Sequence, residues 1–217
     1  MKIGEIISFL VIAVFVLFPL WLWLSWKLEP SEKLNVFIMD KTYKSSECSD
    51  HDAFIWVLNY FKYVNADGEK YNSAKDYFGF SPKENEFQIK DLSAYSNRQI
   101  DSLSRQIQLT YYMDTYGVYK KINSNRLQDY SQKIYGGLDV NDLNFLQKML
   151  EQKKTVVAEF NFLAYPTSED IRIKAEKMFG LKWTGWVGRF FEKLDTIDNS
   201  ELPEWVIESY KKMHQGS

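Results

Sequence analysis

Three short runs place a carboxylate beside polar or aromatic groups: Asp40-Lys41-Thr42, Asp114-Thr115-Tyr116-Gly117 and Glu159-Phe160-Asn161. Each ends, or nearly ends, an apolar stretch. Carboxylates brought close together push each other's pKa apart, which suits acid–base work. The same oxygens suit a hard cation. Tyr116, Trp183 and Trp186 add flat faces that fit a sugar or another polar ring, and Trp183-Thr-Gly-Trp-Val-Gly-Arg189 could line the same rim. The catalytic candidates are therefore Asp40, Asp114 and Glu159. The ligand-binding candidates are Lys41, Thr42, Thr115, Tyr116, Asn161, Trp183, Trp186 and Arg189.

A plainer reading stands beside this one. Asp and Asn at strand ends commonly cap the next helix or shape the turn. Glu159 lies in an apolar run and needs a partner if buried; Arg189 or Lys41 would serve. His51 is the only histidine before the tail residue His214, and at a helix start it packs or caps more often than it catalyses. The lone Cys48 sits in a polar run with nothing visible to activate it. No Cys/His grouping points to zinc. Gly136-Gly137 is too common a pair to be a phosphate loop, and no GxGxxG or Walker pattern occurs. No cofactor is implied.

The elements that must position these groups are read from periodicity. Residues 34–39 form an apolar run suited to a buried parallel strand. Ser49 or Asp50 can cap a helix over about 51–64, with Phe54, Ile55, Val57, Leu58 and Phe61 on its apolar face. The stretch through Tyr77-Phe-Gly-Phe-Ser-Pro82 reads as irregular, and 86–90 as a second, shorter strand. A helix over 97–104 and a third strand over 107–113 come next. Residues 117–138 read as a long connection. A helix over 141–152 carries Leu143, Leu146, Met149 and Leu150 on one face, and Lys153 and Lys154 suit its C-terminal dipole. A fourth strand covers 155–160. Thr167-Ser-Glu-Asp170 resembles a capping box for a helix that Gly180 stops. Leu181-Lys-Trp-Thr184 is the last strand candidate, and the chain stops soon after it, as a piece of a longer protein would.

Strands alternating with helices imply right-handed crossovers and a parallel sheet. The expected class is α/β, a three-layer, mostly parallel, flavodoxin-like sheet of order 2-1-3-4. In such a sheet ligands gather beyond the carboxyl ends of the strands, where the order reverses. That rule would bring the three carboxylate runs to one crevice. Val36, Phe37, Ile38, Val156 and Val157 should then be mostly buried.

Before all this comes a charge-free stretch, residues 6–26, IISFLVIAVFVLFPLWLWLSW. About 20 apolar residues span a hydrocarbon core of about 30 Å. Trp21, Trp23 and Trp26 gather at one end, where indoles favour the membrane interface, with Lys27 beyond them. A cleaved leader would have a shorter apolar region and a small-residue cleavage site. The organisation expected is an anchor over 1–29, a linker over 30–33, one globular domain over 34–210 and a tail over 211–217. A short leader ahead of such a span stays in the cytoplasm, which would export the domain to a bacterial periplasm or cell surface. The lipid bilayer is then a partner through residues 6–26. With 27 Lys and Arg against 29 Asp and Glu, the chain lacks the basic excess that a nucleic-acid partner requires. Protein partners are not legible.

The segments VFIMDKTY, YYMDTYGVY, YGGL, AEFNFLAYPT and WTGWVGRFF resemble a family of uncharacterised, membrane-anchored bacterial proteins, over roughly residues 33–210. In element order the chain is also similar to the class I glutamine amidotransferase-like superfamily. That superfamily carries a nucleophilic Cys in an elbow after its third main strand. Here the place reads Met113-Asp-Thr-Tyr-Gly117, without Cys or Ser, so the resemblance implies the fold and not the reaction. Two functional expectations result: a binding domain for a small polar ligand such as a glycan, or a hydrolase using Asp114 with Asp40 or Glu159.

Overall fold

The computed structural model describes residues 3–42, 51–82, 87–121, 130–185 and 204–214. They fall into two units, Met1–Lys182 and Trp183–Ser217. The second unit contains a helix over Glu204–His214, which runs past the domain end expected at 210.

The first unit opens with helix α1, Ile3–Leu28. Its 26 residues reach about 39 Å at 1.5 Å per residue. Its stretch Ile6–Leu28 has mean hydropathy 2.6 and none of its core window is buried, so it is long and apolar enough to cross a membrane. Pro19 lies inside it, as a spanning helix tolerates. The linker expected at 30–33 is partly a strand: β1, Glu32–Lys33, pairs in parallel with β3, Tyr63–Val64.

The main sheet has five strands: β2 (Val36–Asp40), β4 (Phe78–Pro82), β5 (Phe87–Lys90), β6 (Leu109–Tyr112) and β9 (Thr155–Ala158). Their spatial order is β5-β4-β2-β6-β9. Neighbours pair in parallel except β4 and β5, which are antiparallel. The expected order 2-1-3-4 misses β4. Its sequence, FGFSP, contains Gly and Pro, which oppose a strand, so it reads as a loop. Its place beside β2 pushes the expected second strand to an antiparallel edge.

The long connection expected over 117–138 is also corrected: it contains an antiparallel pair, β7 (Val118–Lys121) and β8 (Tyr130–Tyr135). Residues 181–184 form no strand.

Side chains alternate across β2, and the helices take up both faces. Val36 and Ile38 pack with Ile55 and Leu58 of helix α2, Asp52–Tyr60. Phe37 points the other way, its ring 4.5 Å from Phe145 of helix α4, Val140–Glu151. Helix α3, Asn97–Gln106, packs beside α4 and starts at a capping box between Ser96 and Gln99. Helix α4 starts at a second capping box, Asp139 with Asp142, one residue before the expected start. Helix α5, Glu169–Phe179, begins after Ser168, and no side chain caps it. Thr167 instead accepts a hydrogen bond from the Leu138 amide at 3.0 Å. The capping residues expected for α2, Ser49 and Asp50, lie outside the described residues, as does Cys48.

The burial expected of Val36, Phe37 and Ile38 is met; that of Val156 and Val157 is not. Among the described residues strand β9 is the edge of the sheet. Val156 faces α4 and is half-buried, whereas Val157 faces the α2 side and is exposed, because α2 stops short of that edge.

One glycine is fixed by close approach. At Gly79 φ is +146°, and an added Cβ would lie 1.8 Å from the Asp40 carbonyl oxygen on the paired strand. Gly180 closes α5 in the left-handed conformation, φ +66°, with open space around it. Gly79→Ala should therefore cost about 2–4 kcal/mol from overpacking added to strain. Gly180→Ala should cost only about 1–2 kcal/mol from strain alone. Chemical denaturation of both variants measures the difference, and equal costs would refute the close approach.

Candidate functional site

Strands β2, β6 and β9 run in the same direction, with Met39, Tyr112 and Ala158 in one row. Asp40, Asp114 and Glu159 therefore come to the same, carboxyl edge of the sheet. There they divide into groups with different chemistry.

Asp40 is buried and committed. One carboxylate oxygen accepts from the Thr42 amide at 3.0 Å and the Thr42 hydroxyl at 2.6 Å. The other lies 2.8 Å from Nδ1 of His51, just ahead of α2. The second ring nitrogen of His51 donates to the Ser73 carbonyl at 2.8 Å, and Tyr77 stacks on the ring at 4.1 Å. Burial alone would lower the pKa of His51. The hydrogen bonds to Asp40 and Ser73 and the charges of Asp40 and Asp52 outweigh burial, so it rises above its ordinary 6.5. His51 is thus a buried imidazolium tying the start of α2 to the end of β2.

Lys41 is equally enclosed. Its ammonium reaches the Asp142 carboxylate at 2.5 Å, the Gly137 carbonyl at 3.1 Å and the Asp139 carboxylate at 3.5 Å. Asp142 also receives the Asp139 amide at 2.8 Å and the Tyr112 hydroxyl at 3.1 Å. Burial opposes charge on Lys41, but Asp142 and Asp139 outweigh it and hold the ammonium above its ordinary 10.5. Burial pulls the Asp142 carboxyl upward against the pull of Lys41. Three donors converge on Asp142, the arrangement a carboxylate takes. Lys41 therefore binds α4 to β2, and its buried ammonium is sealed from a ligand in the crevice expected of it. Thr115 is also fully buried, its hydroxyl donating to the Phe162 carbonyl at 3.0 Å.

The third group is open. Asp114, Glu159, Asn161 and Tyr111 are all partly exposed, and Tyr116 beside them is exposed. Asn161 donates to Asp114 at 3.2 Å, and Tyr111 donates to Glu159 at 2.6 Å. Burial, the bond to Glu159, and the charges of Glu159 and Asp114 raise the Tyr111 phenol, which stays protonated and donating. One hydroxyl thus lies within electrostatic reach of both carboxylates.

Among the described residues no three of His, Cys, Asp and Glu converge as metal ligands, so the three carboxylates form no cation cage. Trp183 belongs to the second unit, and Trp186 and Arg189 lie outside the described residues. A groove of about 660 Å³ lies elsewhere, lined by Leu143, Gln147, Lys174 and Met178 among others. Sequence reasoning missed Tyr111, Asp139 and Asp142. The pattern Asp139-Val-Asn-Asp142 was a legible capping box; nothing marked Tyr111.

No family model, curated protein or solved structure matches this chain.

Lys41→Met should destabilise the fold by about 3–5 kcal/mol, because it strands a buried carboxylate. Lys41→Met with Asp142→Leu should recover much of that loss in denaturant titrations; additive losses would refute the coupling. His51 gives a pH signature. Its folded pKa is raised, so its contribution is fully present below about 6.5 and fades as pH rises through the folded value. The stability difference between the native chain and His51→Gln should shrink from pH 6 to pH 9. A difference that grows would reverse the charge assignment.

Proposed function

We propose that the chain is a membrane-anchored, extracytoplasmic α/β domain that binds a small polar ligand, of glycan type, at the carboxyl edge of its sheet. The observation that carries this reading is the contrast along that edge. Asp40 and Lys41 are locked into fully buried pairs, while the pairs Asn161–Asp114 and Tyr111–Glu159 are only partly buried, at a surface a ligand could meet. Carboxylate, amide and phenol together match the alternating hydroxyls of a polyol.

In this reading the N-terminal helix, long and apolar enough to cross a membrane, is the anchor, and the domain lies on its extracytoplasmic side. The resemblance to membrane-anchored bacterial proteins supports the same placement. For the finer fold we infer a flavodoxin-like relative, also similar to the amidotransferase-like superfamily, with an added antiparallel edge at β5 and an open edge at β9.

One observation favours a second reading, a carboxylate-based hydrolase of cell-envelope glycans. Glu159 and Asp114 both act on the Tyr111 hydroxyl, so two carboxylates serve one small region. On the other side, His51, the histidine of the domain body, is enclosed in a pair with Asp40 and cannot reach a substrate.

The test is a thermal-shift panel of neutral hexoses and N-acetylhexosamines, run on the full chain and on Asp114→Asn. A ligand at a hundred times its Kd adds about 2.7 kcal/mol of stability. The native chain should gain that stabilisation from one sugar class, and Asp114→Asn should lose it while keeping its own melting temperature. A lowered melting temperature without ligand would make Asp114 structural. Release of reducing ends from an oligosaccharide, abolished in the same variant, would favour the hydrolase.

A further inference from the structure

Helix α2 has a second apolar face, and the sheet does not use it. Ile55 and Leu58 point inward and are buried. Trp56, Tyr60 and Phe61 point outward, 64%, 48% and 62% exposed, with Val57 beside them. Large aromatics grouped on one exposed face mark an interaction surface.

What covers this face is indicated by its connection to α1. The Trp26 indole, at the end of the apolar helix, donates to the Tyr60 carbonyl at 3.0 Å. The Trp26 and Tyr60 rings stack at 6.1 Å, and Tyr60 stacks in turn on Trp56 at 5.2 Å. Phe61 meets Tyr60 edge-on at 5.3 Å. The Lys62 ammonium donates to the carbonyls of Lys27 at 3.0 Å and Glu29 at 2.7 Å, and lies 4.9 Å from the Trp26 ring centre. The pairing of β1 with β3 adds a further tie. The exposed face of α2 is therefore continuous with the tryptophan-rich end of α1 and held to it.

Tryptophan at the end of a span sits at headgroup level, where its apolar body and N–H are both accommodated. Tyr60, stacked on Trp26, shares that level, and Trp56 and Phe61 extend the row. Lys27 and Lys62 add cations at the height of lipid phosphates. We infer that Trp56 and Tyr60 of α2, with Phe61 just beyond its end, rest in the headgroup–acyl boundary of the membrane that α1 crosses, so that the domain docks on the bilayer instead of swinging from a free tether. The inference rests on the anchor reading above. Its consequence is that α2 holds the first unit at a fixed height and tilt above the lipid.

The test uses the full chain reconstituted in vesicles of phosphatidylcholine and phosphatidylglycerol at about 3:1. In a Cys48→Ser background, a nitroxide is attached at Trp56→Cys, at Phe61→Cys and at the exposed control Glu69→Cys. Its collisions with oxygen and with a neutral nickel chelate are then compared. Positions 56 and 61 should favour oxygen by at least about threefold relative to 69, the signature of lipid contact. Ratios equal to that at 69 would overturn the docking inference. Shielding from both reagents would overturn it too, because a protein surface would then cover the face. Chains that fail to float with the vesicles would sink the anchor reading itself, and flotation separates that failure from the other two. An unlabelled comparison guards against misfolded variants: Trp56→Phe should remove a component of the tryptophan emission that brominated lipids quench. Unchanged quenching would count against docking.

Discussion

The ammonium of Lys41 sits where three parts of the fold meet, and its pairing with Asp142 is the constraint on which the others depend. Residues Val36–Asp40 run through the middle of the sheet, and Lys41 is the first residue beyond them. Its charge could leave the interior only by unthreading that end of the strand. Removing an ammonium and a carboxylate from water costs several kcal/mol per ion, so the pair is tolerable only with full hydrogen bonding. Lys41 meets that condition through Asp142, Asp139 and the Gly137 carbonyl, and Asp142 through Lys41, the Asp139 amide and Tyr112. The same Asp139 and Asp142 form the capping box of α4. A single cluster therefore sets where β2 ends, where α4 begins and how far apart they lie. Asp40 with His51 does the equivalent work for α2 on the opposite face.

This arrangement explains which parts were legible in the sequence. Apolar runs at 34–39 and 107–113 marked the central strands because strands covered on both faces exclude polar residues. The α4 pattern of Leu143, Leu146 and Met149 marked its buried face for the same reason. Strand β4 was hidden: Gly79 and Pro82 oppose strand formation, and Gly79 is required there by the Asp40 carbonyl, a contact made across 39 positions of chain. Strand β9 looked central because Thr-Val-Val-Ala is apolar, but apolar content does not reveal whether a neighbour lies beyond. The site divided along similar lines. All three strand-end carboxylates were expected at one edge, and parallel register brings them there. That two of the flanking groups, Asp40 and Lys41, are sealed by His51 and Asp142 depends on partners 11 and 101 residues away. Local pattern carries no trace of pairings at that distance.

The contrast between sealed and open residues also bears on how such an edge acquires function. A parallel sheet delivers polar strand ends to one side whether or not a ligand is used there. Most of those groups must be neutralised by the fold, since an unpaired buried charge would unfold it. Here the most deeply buried ones, Asp40 and Lys41, lie at the centre, under α2 and α4, and the partly exposed ones, Asp114 with Asn161 and Glu159 with Tyr111, lie toward β9. Among the described residues, the edge at β9 that breaks the expectation of a fully covered sheet is thus the same feature that leaves Asp114, Glu159 and Tyr111 partly exposed.

The end of α1 gives this edge a direction. Strand β1 meets β3, and the end of α1 meets the end of α2, so the carboxyl end of α2 lies at the end of the apolar helix. The start of α2 lies at the opposite end of that helix, where His51 binds Asp40 at the carboxyl edge of the sheet. Nine helical residues separate the two, about 13 Å of rise. Helix α2 consequently spans from the end of α1 to the site edge, and its Ile55 and Leu58 pack with Val36 and Ile38 of β2. A helix pinned at both ends, by Trp26 and Lys62 at one and by a buried imidazolium at the other, behaves as a strut. The distance between the end of α1 and the candidate site is then a property of the fold and not of a flexible linker, so it is set by the stability of α2.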